Sequence, residues 1–255
     1  MGRILGIIEI LPGRSPAPPP PPSPLLTTRR LGGCTPLDLL IDRLQRIERL
    51  NDLVVITDES QATLAAEQLA NRLPLHIYDG HKLDSLACLA NAARHASADS
   101  VVRLIAGHPF VDPLLIDRLL DAAQRRSRCD YVAYFTGAGR RALLARLGMI
   151  VEWMSATAVE RAARAATDPD DRQDASRYVH SHPELFHLRL LPLTPPFDRR
   201  DMRLSLEHDE DWEHAQVIWE ALGADGLTWP SIAELVGNSP ALRARMERLN
   251  RADRV

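Results

Sequence analysis

The 255-residue chain is 45% hydrophobic and 25% charged, enough to bury a full core as one large α/β domain or two small ones. Its 31 Lys+Arg against 34 Asp+Glu leave a net charge of -3, which excludes an overall field drawing it to nucleic acid or an acidic membrane surface. Cys34, Cys88 and Cys129 are scattered without C-x-x-C spacing, which suits buried, inert thiols in a reducing compartment. No apolar run approaches the roughly 20 residues that span a bilayer. Met1 to Leu11 runs into Pro12-Gly13-Arg14 without a signal-peptide cleavage site. The expected location is the cytoplasm.

In chain order, short Ile-, Val- and Leu-rich runs alternate with longer amphipathic segments, the order of βαβ units and a largely parallel sheet. Predicted strands are Arg3 to Leu11, Asp52 to Thr57, Leu75 to Tyr78, Ser100 to Ile105, Asp130 to Phe135, Met149 to Met154, His187 to Leu191 and Met202 to Leu206. After the first strand comes a proline-rich loop, 12–24, extended and polyproline-like, at the end of the sheet where open α/β folds build their ligand crevice. Thr35-Pro36-Leu37-Asp38 then opens a helix, with Thr as N-cap, Pro at the first helical position and an acid near the positive end. Further helices are predicted over Gln61 to Arg72, Leu83 to His95, Pro113 to Arg126, Ser155 to Ala166, Arg172 to His180 and Asp209 to Leu222. The tail from Ser231 to Asn250 reads as two short helices split at Gly237-Asn238-Ser239-Pro240. The whole, residues 1–255, reads as a single domain with a helical tail over 226–255.

Four segments, in order, carry a resemblance. They are Leu31-Gly32-Gly33-Cys34-Thr35-Pro36-Leu37, Val101 through Pro113, Asp168 through Asp174 followed by His182-Pro183-Glu184-Leu185-Phe186, and Arg203 through Trp212. Together they are similar to the SpsF-type cytidylyltransferases, relatives of CMP-Kdo synthetase. The resemblance implies a Rossmann-like three-layer α/β/α nucleotide-diphospho-sugar transferase fold with a mostly parallel sheet. It also implies transfer of CMP from CTP to an acidic or modified sugar for a surface polysaccharide.

That reaction is attack on the α-phosphate with pyrophosphate leaving, so the site must hold a triphosphate, neutralise the leaving group and aim the nucleophile. The resemblance implies a glycine-rich basic loop after the first strand and two aspartates for Mg²⁺ or Mn²⁺. This sequence departs at both. Proline offers no N–H to a phosphate, so Arg14 and Arg29 are the candidate phosphate-binding and catalytic residues, with Arg30 beside them. His108 and Glu207 stand at the metal positions, a pair better suited to a softer ion or to none. Asp84, Arg103, Glu152 and Arg172 fall where the family contacts its sugar. Among neighbouring family positions, aspartate is replaced by Ile150, the D-R-E-H pattern ends in Gln173 and Asp174, and an arginine is replaced by Ser85.

Two other readings stand beside the enzyme. One is a non-catalytic relative binding a nucleotide or a partner. The other is a glycosyltransferase using the D-x-D of Asp209 and Asp211, although acids at a helix start more often cap it. Asp168, Asp170 and Asp171 read as caps in the same way. His180, His182 and His187 lack ligand spacing, while His76 and His81 flank a strand end facing the expected crevice. Trp212 and Trp219 share a helix face and read as packing. Homodimerisation, as many relatives show, is left open by the sequence.

Overall fold

The computed structural model describes residues 2–10, 29–69, 72–78, 84–125, 128–139, 141–142, 146–194 and 197–252. The proline-rich loop 12–24, Arg14 and His81 lie outside them. The described residues form a seven-stranded sheet with helices on both faces.

Strand β1 (Ile4–Ile10) is buried along its whole length, as a central parallel strand requires. It pairs in parallel with β2 (Asp52–Asp58) on one side and β4 (Ser100–Ile105) on the other, and β2 pairs in parallel with β3 (Leu75–Tyr78). Beyond β4 come β6 (Glu152–Ser155), antiparallel to both neighbours, then β5 (Tyr131–Phe135) and β7 (Leu188–Pro192), giving the order β3-β2-β1-β4-β6-β5-β7. The order reverses between β1 and β4, so their carboxyl ends, at Ile10 and Ile105, open the position where such sheets bind ligands.

Alternation along the strands splits the core in two. Ile4, Ile8, Val102 and Leu104 pack against α1 (Pro36–Gln45), α2 (Glu59–Leu69), α4 (Pro113–Gln124) and α8 (Asp209–Leu222). Leu5, Ile7, Val54, Ile56 and Val101 pack on the other face against α3 (Ser85–His95), α5 (Ala156–Ala165) and α7 (Arg177–Ser181). The tail forms α9 (Trp229–Asn238) and α10 (Pro240–Ala252), whose Ile232, Val236, Leu242 and Met246 join the first cluster. At α1 the Thr35 hydroxyl accepts the Asp38 N–H at 3.1 Å while the Asp38 carboxylate accepts the Thr35 N–H at 3.2 Å, a capping box that fixes the helix start.

Two expectations are corrected. Met202 to Leu206 is buried but joins no strand ladder, because its backbone bonds go to loops: Leu204 N–H to Arg146 O and Leu206 N–H to Gly107 O, both at 2.8 Å. The helix expected over Arg172 to His180 is two short ones, α6 (Pro169–Gln173) and α7, because the backbone leaves helical geometry at Asp174.

Candidate functional site

Two charged groups sit near the carboxyl end of the sheet. The first follows from strand alternation, which places Glu9 on the face of Leu5 and Ile7, Arg103 on the face of Val101, and Glu152 on the face of Met154. The register sets Arg103 opposite both Ile7 and Glu152. Arg103 Nη2 donates to Glu9 Oε2 at 2.7 Å, and Nη1 donates to Asp174 Oδ1 and Ser176 Oγ at 2.9 Å and to Glu152 Oε2 at 3.2 Å. Arg141 joins from the other side, with Nη1 2.6 Å from Ser176 Oγ and 3.3 Å from Glu152 Oε1, and Nη2 on Asp174. The Tyr131 hydroxyl donates to Glu152 Oε1 at 2.7 Å.

Arg103, Glu9 and Glu152 are each 0% exposed. Burial works against the charge on Arg103, yet Glu9, Asp174 and Glu152 together hold its pKa well above the ordinary value. Removal from water and the neighbouring Glu152 push the Tyr131 phenol up, so it stays a neutral donor. Three carboxylates and two guanidiniums are thus locked together by geometry that leaves neither arginine facing solvent.

Asp84 and Arg172 lie beside this group. Asp84 caps α3 by accepting the Ala87 N–H at 2.9 Å, and Arg172 Nε donates to Asp84 Oδ2 at 3.0 Å. Ser85 Oγ donates to the Gln173 carbonyl at 2.5 Å, next to Asp174. The four residues expected around a sugar therefore come together as two pairs, Arg103 with Glu152 and Arg172 with Asp84, joined through 173–174.

The second group sits where β4 ends. The bond from Leu206 N–H to Gly107 O lays the segment before Glu207 against the segment before His108, bringing together two positions 99 apart in sequence. His108 is 3% exposed and its Nδ1 has no hydrogen-bond partner among the described residues. Burial first, then the charges of Arg146 and Arg103, push its pKa down to about 3, against a backbone hydrogen bond with Ile150. The Glu207 carboxylate is ion-paired with Arg146, with about a third of each side chain exposed (32% and 35%). Gly148, at φ +62°, lets the 146–148 turn lie directly on the Leu204 backbone, where a Cβ would collide with the Leu204 carbonyl.

Arg29 reaches the same place from the other direction. Its Nη2 donates to Asp209 Oδ1 at 2.6 Å and its guanidinium lies 5.6 Å from the centre of the Trp212 ring. Glu207 and Asp209 are two residues apart, a span of at most about 7 Å. Arg29 and Arg146 thus converge on one short stretch at the start of α8.

No protein-family model matches this chain. Among curated proteins it is 23% identical over 229 residues to the spore coat polysaccharide biosynthesis protein SpsF of Bacillus subtilis, covering 88% of this chain and 89% of SpsF. It is also 26% identical over 186 residues to an uncharacterised protein of Methanocaldococcus jannaschii, covering 72% of each. A cytidylyltransferase from Leptospira borgpetersenii shares the fold with a TM-score of 0.75, 21% identity and coverage of 94% of this chain and 95% of that one. The chain is thus similar in sequence to SpsF and shares its fold with a cytidylyltransferase. Its fold recurs in CMP:2-keto-3-deoxy-manno-octonic acid synthetase complexed with CTP (TM-score 0.63, 9% identity, 86% and 99% covered). It recurs also in Rv0371c of Mycobacterium tuberculosis in complex with manganese (TM-score 0.56, 17% identity, 84% and 98% covered).

The described residues at the two expected metal positions do not offer a divalent ion a fitting set of donors. Mg²⁺ and Mn²⁺ take several oxygens, whereas His108 is a sealed imidazole and the Glu207 carboxylate is engaged by a guanidinium that repels a cation. Among the described residues, no group of three or more His, Cys, Asp or Glu is arranged to hold a metal. The glycosyltransferase D-x-D reading is corrected too. Asp211 is 1% exposed, ion-paired with Arg203, and accepts the Glu207 and His208 N–H groups at 3.0 Å, so it caps α8 and cannot face a ligand.

Sequence reasoning missed Tyr131, Arg141, Arg146 and Ser176 as members of these groups. A lone charge in an apolar strand, as in Ile7-Ile8-Glu9-Ile10 and Val101-Val102-Arg103-Leu104, is a usable signal for the sealed group. Arg141 and Arg146 lie in a segment whose spacing does not distinguish them from Arg140. Among the described residues, no helix is long and apolar enough to cross a membrane.

Proposed function

We propose that this chain binds a nucleoside triphosphate, CTP by preference, and transfers CMP from it to an acidic or modified sugar for a surface polysaccharide. The observation that carries this reading is the convergence of Arg29 and Arg146 on Glu207–Asp209, beside the ends of β1 and β4 where this fold binds ligands. In the transfer, a sugar hydroxyl oxygen attacks the α-phosphorus and gives up its proton to solvent, the bond to the bridging oxygen breaks, and pyrophosphate leaves with the electron pair. Arg29 and Arg146 offset the charge on the phosphates by exchanging carboxylate for phosphate oxygens, which guanidinium geometry accepts equally well. Arg14 is assigned to the same role. Asp84 and Arg172 shape the sugar side, and Arg103 with Glu152 braces the sheet beneath them. Since His108 and Glu207 do not fit Mg²⁺ or Mn²⁺, no step is assigned to a protein-held metal.

The same misfit favours a second reading, a non-catalytic relative that binds the nucleotide or a partner. Release of pyrophosphate from CTP across a panel of acidic sugars, with detection of the CMP-sugar, separates the two. Sugar-dependent release supports transfer. CTP binding without release under any sugar supports the non-catalytic reading.

A further inference from the structure

We propose that Arg146 takes the place of the divalent cation, so that this chain grips the polyphosphate of its nucleotide without a metal ion. The inference rests on the nucleotide-binding reading above and specifies how that site meets the negative charge.

The backbone from which Arg146 projects is held by hydrogen bonds, and its guanidinium by the Glu207 carboxylate. The Arg146 carbonyl accepts the Leu204 N–H at 2.8 Å and the Ser205 N–H at 3.3 Å, and the Gly148 turn holds this segment against the 204–206 stretch. That stretch in turn is bonded through Leu206 to Gly107, at the end of β4. A permanent positive charge therefore sits on Glu207 and acts on His108, the two positions that a metal ion would need. An ion arriving there would have to separate Glu207 from Arg146 and then sit beside a like charge, a repulsion that a partly exposed site screens only in part.

An anion meets the opposite situation. With 35% of the Arg146 side chain and 32% of the Glu207 side chain exposed, solvent reaches the pair, and exchanging a carboxylate for a phosphate oxygen preserves the charge pairing. Glu207 is then a stand-in for phosphate that leaves when the nucleotide arrives. Arg29 on Asp209 repeats the arrangement two residues further along. Neither Arg103 nor Arg141 can serve, since both are sealed among Glu9, Glu152 and Asp174.

Calorimetric titration of the full chain with CTP, once in EDTA and once in Mg²⁺ or Mn²⁺, tests this. The expected result is a Kd in EDTA within about threefold of that with metal, weakened roughly tenfold or more by Arg146→Ala and tightened severalfold by Glu207→Gln, the scale of one charged contact. The Glu207→Gln gain cannot come from misfolding, and an unfolding midpoint near wild type checks Arg146→Ala. Binding that requires Mg²⁺ or Mn²⁺, or that is indifferent to Arg146→Ala in EDTA, overturns the inference while leaving the proposed function standing. Absence of CTP binding in every buffer overturns both.

Discussion

The two charged groups at the end of this sheet are built from the same residue types and differ in their access to water. Glu9, Arg103, Arg141, Glu152 and Asp174 are all buried, like the neighbouring Leu5 and Ile7, and their hydrogen bonds interlock. In the pairs Arg146–Glu207 and Arg29–Asp209, by contrast, the side chains are 32% to 76% exposed. A sealed charge that loses its partner has nothing to replace it, whereas a half-exposed one can change partners with little loss. The first group accordingly fixes the geometry of β1, β4, β6 and the 174–176 turn, and the second is the one proposed to receive the nucleotide.

The sharpest way to break this contrast is to remove one cation from each group. Arg103→Met removes the buried guanidinium that Glu9, Glu152 and Asp174 share and should cost about 3–5 kcal/mol, or prevent folding, in urea unfolding. Arg146→Ala should change stability by less than about 1 kcal/mol. Equal losses in the two variants would show that exposure does not separate the groups.

Acid should act next most strongly, through His108. Its folded pKa of about 3 lies below the ordinary 6.5, so between these values the unfolded chain takes a proton that the folded chain refuses. Stability therefore falls as pH drops through that window, by at most about 1.4 kcal/mol per pH unit. His180, pushed down to about 4 by burial and then by Arg141, acts in the same direction. Urea midpoints measured from pH 7 to pH 4 should flatten in His108→Gln, and an unchanged slope would place the acid sensitivity elsewhere.

A smaller effect sharpens the comparison from the backbone side. Gly148→Ala forces a side chain into left-handed geometry and against the Leu204 carbonyl, which should cost about 1–3 kcal/mol. Because the turn also positions Arg146, CTP binding should weaken in this variant by more than its stability loss explains, as titration below the unfolding range would show.

Much of the fold was legible because its signals are local. The apolar runs of β1, β2 and β4 and the Thr35–Asp38 box at α1 announce themselves within a few residues. Met202 to Leu206 read as a strand because it is equally apolar, but ladder membership depends on neighbours that the segment itself does not encode. The break at Asp174 was hidden for a related reason: its carboxylate meets Arg103 and Arg141, 71 and 33 residues away, where the backbone departs from the helix. The candidate site followed the same rule. The family resemblance grouped Arg103, Glu152, Asp84 and Arg172, whereas the Arg146–Glu207 pair and the capping role of Asp211 arise from contacts between loops.

The most direct test of where the nucleotide binds is hydrogen–deuterium exchange of the full chain with and without CTP. The account predicts added protection in peptides covering 105–109, 146–149 and 206–210, with no change at 174–176, where the sealed group already excludes water. Protection confined to 174–176, or none at all near 206–210, would contradict it.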